Sequence, residues 1–289
     1  MKSAQLVYDL VPALNKTKSG TPIVILHGLL GTRLNFSSLA RRKEICSDSD
    51  VYLLDMRNHG WSPHKEEHSA EIMSLDVQEF LKQKGISQAI MVGFSMGGKA
   101  AMHLAFNYPQ LCRGLLLLDC GPFNYPSFQL PDVNYQHVLD HLASFDLKAL
   151  KSREAIRAQI MKEITDSRPM VDFLMSNLVW SSPIASNTTT PPSWRCNLPV
   201  LQRDYHRHSS WVPSPGQTYT GPVKLVRGRE SNYLPEGRLG DLPQYFPELN
   251  LDTDVVAVEG GHWVHLSDPR TVLRTAQDLI SKCSSRHTT

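Results

Sequence analysis

The 289-residue chain predicts an α/β fold: a mostly parallel central sheet flanked by helices, with a helical lid inserted into it. Three observations carry this. Short, continuously apolar runs alternate with helical patterns through the first half of the chain, lapse in the middle and resume in the last quarter. Such alternation implies parallel strands with helices on both faces, and strands covered on both faces read as unbroken apolar runs. The third observation is the string Gly93-Phe94-Ser95-Met96-Gly97, which stands where a strand hands over to a helix.

In chain order, Met1 to Leu10 runs into an alternating strand pattern. Ile23–Leu26 and Val51–Leu54 read as buried strands by length and branching, with a helix over Asn35 to Glu44 between them. Met73, Val77, Phe80 and Leu81 recur at helical spacing, so a helix covers Ser69 to Lys84 and stops at Gly85. The strand Ala89–Val92, the helix Met96–Asn107 and the strand Gly114–Leu118 follow. From Cys120 to about Gly221 there is no buried strand. Val133 to Phe145, Ser152 to Thr165 and Met170 to Val179 read as helices, and the Pro/Ser/Thr-rich stretch Ser181 to Ser193 as a loop. Val223–Val226 and Asp254–Val258 resume the strand series. Asp268 caps the last helix with Pro269 in its first turn, and Ala276, Leu279 and Ile280 face inward. Residues 1–119 and 222–289 thus form the core, and residues 120–221 the lid.

Composition narrows the function. Apolar residues make up 41%, charged residues 20%, and the formal net charge is +2. The basic residues are scattered, so no nucleic-acid partner is expected. No apolar run approaches the roughly 20 residues of a membrane span. Five cysteines (Cys46, Cys112, Cys120, Cys196, Cys283) are widely spaced, and no secretory signal precedes them, which predicts reduced thiols in an intracellular protein. The triplets Asn35-Phe36-Ser37 and Asn187-Thr188-Thr189 read as incidental. His206 and His208 lack a companion ligand cluster at zinc spacing and read as solvated lid residues. Gly97-Gly98-Lys99 lacks the spacing of a phosphate loop. No cofactor or metal is expected, and oligomeric state stays open.

Chemistry centres on Ser95. A serine between two glycines, after a strand and before a helix, is a nucleophile elbow, whose strained turn projects the hydroxyl above the sheet. That points to acyl chemistry through a covalent serine intermediate. A serine hydroxyl needs a base, and the base an orienting acid, in the chain order serine, acid, histidine. His262, behind Gly260 and Gly261 in the loop after the last strand, is the expected base, with His265 the alternative. The usual position of the acid, after the penultimate strand, holds Ser231. Two candidates remain: Asp119, ending the strand before the lid, and Glu230. Asp119 is preferred, because parallel strands present their carboxyl ends to one crevice. Ser231 is then placed to add a hydrogen bond to the acid or the base. Oxyanion donors are expected from the amides of Met96 and Leu29, with Leu30 second to Leu29. His27 reads as support for their loop.

Together, His27-Gly28-Leu29-Leu30-Gly31, Asp55-Met56-Arg57-Asn58-His59-Gly60-Trp61-Ser62-Pro63-His64, Gly93 to Lys99 and Gly261-His262-Trp263-Val264-His265 resemble the α/β-hydrolase superfamily. The resemblance covers essentially the whole chain. It extends to the subgroup of mitochondrial abhydrolase-domain proteins, yeast ethanol acetyltransferases and small bacterial esterases. It implies the α/β-hydrolase fold, the acid at Asp119 with a serine at Ser231, and Asp55, Arg57 and His59 as buttresses of the oxyanion loop. Two departures stand out: Phe94 where histidine is common, and a longer lid at Ser181 to Ser193. The resemblance implies a mitochondrial address. The visible N-terminus has no Arg-rich helix, and a cytoplasmic protein is the alternative.

The expected function is a cofactor-free serine esterase or thioesterase acting on a small acyl ester or thioester. Its apolar and aromatic lid residues (Phe123, Tyr125, Phe128, Leu130, Tyr135) suit an apolar substrate portion or ordinary packing. Two alternatives are an acyltransferase using the same acyl-enzyme, and a non-catalytic ligand-binding protein on this scaffold.

Overall fold

A computed structural model describes residues 3–18, 20–125, 134–150, 152–180 and 192–285. Seven strands form the main sheet: β1 (Tyr8–Val11), β2 (Ile23–Leu26), β3 (Val51–Leu54), β4 (Ala89–Phe94), β5 (Cys112–Leu118), β8 (Val223–Gly228) and β9 (Val255–Val258). A separate two-stranded ladder pairs β6 (Leu178–Val179) with β7 (Ser193–Trp194). The order across the main sheet is β1-β3-β2-β4-β5-β8-β9. β1 runs antiparallel to β3, and the other pairings are parallel. Among the described residues, the α-helices of eight residues or more are α1 (Ala70–Gln83), α2 (Met96–Asn107), α3 (Tyr135–Ser144), α4 (Arg153–Glu163), α5 (Arg168–Met175), α6 (Leu198–Ser209) and α7 (Pro269–Ser285).

Side chains alternate across a strand, and here both sides are core. Val24, Leu26, Met91, Leu115, Leu117 and Leu225 pack with Val77 and Phe80 of α1 and Leu104 of α2. Ile23, Ile25, Ile90, Val92, Leu116 and Leu118 face the other way, onto Leu39 and onto Val272, Ala276 and Leu279 of α7. That double coverage leaves β2, β4 and β8 buried at every position, as the unbroken apolar runs predict. Ser69 caps α1 by accepting the Ile72 N–H, and Gly85 beyond its end adopts φ +65°. Asp268 accepts the Thr271 N–H at the start of α7. Within α7, Ala276 and Leu279 are buried and Ile280 is half-buried.

Three local expectations need correction. The single helix over Asn35 to Glu44 is instead a 3-10 turn (Arg33–Phe36) and two four-residue helical turns, Ser37–Ala40 and Lys43–Cys46. The backbone leaves the helical region at Phe36 (φ −109°, ψ 4°), whose ring packs against Phe94 and His265, and again at Arg42 (φ −78°, ψ 138°), which breaks the run into separate turns. Among the described residues the chain between β5 and β8 holds β6 and β7, neither buried throughout, and the helix expected over Met170 to Val179 stops at Met175, with Leu178–Val179 in β6. The same segment also holds α6, an unforeseen helix. On α6, His206 is exposed as expected but His208 is buried, because two residues along a helix turn to opposite sides. The expected loop at residues 181–191, with Phe128 and Leu130, lies outside the described residues.

The chain between β5 and β8 is tied to the sheet by polar contacts. Asn177 Nδ2 donates to Leu30 O (2.6 Å), and the Asn197 N–H donates to Asn58 O (3.0 Å). Asp204 accepts the His68 N–H (3.0 Å). All five cysteines are buried free thiols. No described helix is long and apolar enough to cross a membrane.

Candidate active site

Ser95 occupies the single residue between β4 and α2, at φ +52° and ψ −116°. A non-glycine residue avoids that region unless its surroundings hold it there. They do so by close approach. A Cβ at Gly93 would lie 2.5 Å from Gly98 Cα, and one at Gly97 would lie 2.4 Å from Leu26 O. The Ser95 N–H donates to Leu118 O (3.2 Å) and its carbonyl accepts the Lys99 N–H (3.2 Å), fixing the turn to β5 and α2.

Asp119 follows β5 directly. It is fully buried and also in the left-handed region, at φ +47°. Its N–H donates to Val226 O (2.7 Å), which carries the residue along β8 after the strand proper ends. Oδ1 accepts the Gly228 N–H (3.0 Å). Oδ2 accepts both the Ser231 hydroxyl and the His262 Nδ1–H, the latter at 2.6 Å. His262 Nε2 lies 2.9 Å from Ser95 Oγ, within reach of the hydroxyl proton. The Asp119 contact assigns the Nδ1–H tautomer, leaving Nε2 as the acceptor.

The loop that delivers His262 depends on glycine twice. Gly260 adopts φ +97°, and a Cβ at Gly228 would lie 2.2 Å from Gly261 O. The imidazole is then held between two rings. Tyr233 stacks on it at 3.9 Å and 19°, and Phe94 packs at 4.8 Å and 34°. Tyr233 was not singled out from sequence. Its position two residues after Ser231, at the end of the β8 loop, was the available signal. Phe94, noted only as a departure, is a wall for the histidine.

The alternatives are placed elsewhere. His265 packs against Phe36 and Phe94, and burial pushes its pKa down to about 3. Glu230 is exposed, and its N–H donates to Gly260 O (3.1 Å).

The loop after β2 passes hard against the elbow: a Cβ at Gly28 would lie 2.8 Å from the Phe94 ring and 3.3 Å from Ser95 Cβ. Leu30 adopts φ +59°. Leu29 and Met96 line the same small hollow as Ser95. His27 supports this loop: its Nδ1–H donates to Gly28 O (2.8 Å) and its Nε2 accepts the Met56 N–H (3.0 Å). Asp55 accepts the N–H groups of Arg33 (2.7 Å) and Trp61 (2.9 Å). Arg57 makes a buried two-point pair with Asp76 (2.5 and 2.7 Å). His59 donates to Arg57 O (2.9 Å) and packs against His27. These residues touch one another and the loop, not Ser95.

Lys99 was passed over in the sequence except for its spacing. It lies fully buried one helical turn beyond Ser95, with its ammonium on the carbonyls of Phe123 and Trp211 (2.8 Å for the latter). Burial pulls its pKa down to about 7.

The chain is similar to known proteins over most of its length. The sn-1-specific diacylglycerol lipase ABHD11 of Mus musculus is 30% identical over 267 residues, which cover 90% of this chain and 80% of that protein. The probable alcohol acetyltransferase of Saccharomyces cerevisiae is 28% identical over 283 residues, covering 95% and 81%. Among solved structures, a marine microorganism esterase superposes with a TM-score of 0.84 at 27% identity, covering 96% of this chain and 100% of that one. With the expected mostly parallel sheet, a strained serine at its crest and a family match over residues 21–269, the chain belongs to the alpha/beta hydrolase fold family.

Proposed function

We propose that the protein is a serine hydrolase that cleaves carboxylic esters through an acyl-enzyme on Ser95. The observation that carries this is the unbroken hydrogen-bonded series Ser95–His262–Asp119, delivered by three separate loops at the carboxyl ends of β4, β9 and β5. Similarity to a lipase and an esterase adds support.

In the proposed reaction, His262 Nε2 takes the Ser95 proton as Oγ attacks the ester carbonyl. Asp119 steadies the resulting imidazolium, and Ser231 and Gly228 hold Asp119. The amides of Met96 and Leu29 receive the negative oxygen, each worth about 3 kcal/mol of barrier by analogy with measured oxyanion holes. His262 then protonates the departing alcohol and activates water to release the acid. A thioester would follow the same route with a thiol departing. Residues 120–221 act as the lid over this site.

A second reading is favoured by similarity to the yeast acetyltransferase: an alcohol, rather than water, takes the acyl group from Ser95. Incubation with an ester donor and ethanol separates the two, since formation of a new ester marks transfer and free acid alone marks hydrolysis. Binding without catalysis is the third reading.

The deciding experiment uses p-nitrophenyl esters and a fluorophosphonate probe. Wild-type protein should hydrolyse the esters and label at Ser95, while Ser95→Ala should lose about 10⁴-fold or more in kcat and all labelling with its fold intact. A folded wild-type protein that neither hydrolyses nor labels would overturn the catalytic reading in favour of binding.

A further inference from the structure

Three hollows lie around the site, one with Ser95 in its wall, one with His262 and one with neither, and they differ in size and wall chemistry. The one whose wall includes Ser95 is the smallest, about 20 Å³, or room for one water or one methyl group. A cleft of about 500 Å³ includes His262, Met170, Trp263 and Leu266 in its walls. A third, of about 230 Å³, lies across Leu29 between Phe36, Phe94 and Phe173.

The stereochemistry of acyl transfer sorts these spaces. The departing oxygen must meet His262 Nε2, and the carbonyl oxygen must meet the amides of Leu29 and Met96. The alcohol therefore extends into the cleft beside His262. The acyl carbon is bonded to Ser95 Oγ, so its chain enters the hollow whose wall includes Ser95, lined also by Lys99, Tyr125, Tyr205 and His208, and not the third hollow, whose walls include neither Ser95 nor His262.

We propose that this small hollow is the acyl subsite, and that the enzyme acts on esters of acetyl- or propionyl-sized acids with large apolar alcohols. The inference rests on the acyl-enzyme reading and adds to it a substrate class.

Size and polarity set the limit together. The hollow is enclosed by aromatic walls that are themselves held. Tyr125 accepts the Gly121 N–H through its hydroxyl (2.9 Å), and its ring lies 4.1 Å beneath the Lys99 ammonium. The far wall is polar. Lys99 reaches it, and His208 Nδ1 and Ser209 Oγ, both buried, have no hydrogen-bond partner among the described residues. A longer alkyl chain would have to displace rings and lay methylenes against these polar groups, where burial without a partner is unfavourable. The cleft beside His262 is far larger, and although Glu230, Thr165 and Ser167 reach its walls, Pro169, Met170, Trp263 and Leu266 offer apolar surface.

The test is kcat/KM of the full chain for p-nitrophenyl acetate, butyrate and octanoate. The expected result is a fall of at least tenfold from acetate to octanoate. Tyr205→Ala, which removes one wall, should shrink the acetate-to-octanoate ratio at least tenfold through a gain on octanoate. Tyr205→Phe should keep the ratio. If Tyr205→Ala does not fold, labelling of the wild type with methyl and octyl fluorophosphonates decides, with the methyl probe expected to react at least tenfold faster. Hydrolysis of octanoate as fast as acetate, or an unchanged ratio in folded Tyr205→Ala, overturns the proposal while leaving the acyl-enzyme reading in place. Absence of both ester hydrolysis and labelling removes that reading, and this proposal with it.

Discussion

At Asp119 a single buried carboxylate accepts a backbone N–H, a hydroxyl and an imidazole N–H. Each donor has a separable consequence. Asp119→Asn would offer an N–H to His262 Nδ1 and stabilise the wrong tautomer, so kcat is expected to fall about 10⁴-fold with the fold retained. Ser231→Ala removes one hydrogen bond to a charged group, which corresponds to a ten- to hundredfold loss. Glu230→Gln should leave kcat/KM for p-nitrophenyl acetate within about threefold, because Glu230 meets neither His262 nor Asp119 in the hydrogen bonds of the site. Steady-state kinetics on the three variants, with circular dichroism as a fold control, check this ordering. A Glu230→Gln loss larger than that of Asp119→Asn would reassign the acid. Asp119 was readable in the sequence because strand polarity is a rule of the fold. Tyr233 was not, since stacking on His262 depends on how two loops from β8 and β9 meet.

The elbow is the element on which the site turns, and its tolerances are measured in tenths of an ångström. Gly97→Ala would set a methyl 2.4 Å from Leu26 O, backbone against backbone, with no flexible side chain to yield. Overpacking of that kind costs about 3 kcal/mol or more, so a Tm roughly 6 °C lower is expected in a thermal melt. Gly237→Ala is the control: nothing lies within 4 Å of its would-be Cβ, and Tm should be unchanged or slightly higher. If the two variants melt alike, close packing does not define this turn. β2, β3 and α2 were legible to the residue because each is a regular run with a clear end. β6 and β7 were not: two residues carry no periodicity, and the ladder is held from outside, by the Trp194 Nε1–H donating to Leu142 O (3.0 Å). α6 was missed because its inward residues, Leu201, Asp204 and His208, include two polar ones that are buried only by tertiary contact.

Across the whole molecule, the buried histidines make stability depend on pH. His27, His59, His68 and His208 form a line of rings spaced 5.2, 5.5 and 5.3 Å, from the loop after β2 to α6. Burial lowers the pKa of all four, His59 and His68 well below the ordinary value and His208 to about 3. At His208 the Lys99 and His206 charges add to the lowering, and Asp204 opposes it. The sign follows from linkage. Above about pH 6.5 these groups are neutral both folded and unfolded, and contribute no pH dependence. Below it the unfolded chain gains protons that the folded chain refuses, so stability falls as the pH drops from about 6.5 towards 3. Each refused proton is worth about 1.4 kcal/mol per pH unit. Urea unfolding at pH 7, 6 and 5 should therefore show a steep loss. His208→Phe should reduce the slope between pH 6 and 5 by about one proton. A flat profile over that range would mean that the imidazoles are hydrated or charged in the fold.

The amino-acid order alone determined the sheet-forming runs, the strained serine and the histidine that serves it, because each is written in local chemistry: apolar continuity, glycine at a bend, a loop after a strand. Strand polarity already favoured Asp119 over Glu230; only the tertiary structure joined it to His262, clamped that ring between Tyr233 and Phe94, and closed a small hollow behind Ser95 with Lys99, His208 and Ser209. Those outcomes depend on distances between segments far apart in the chain, set by packing both faces of one sheet, and no local pattern encodes such distances.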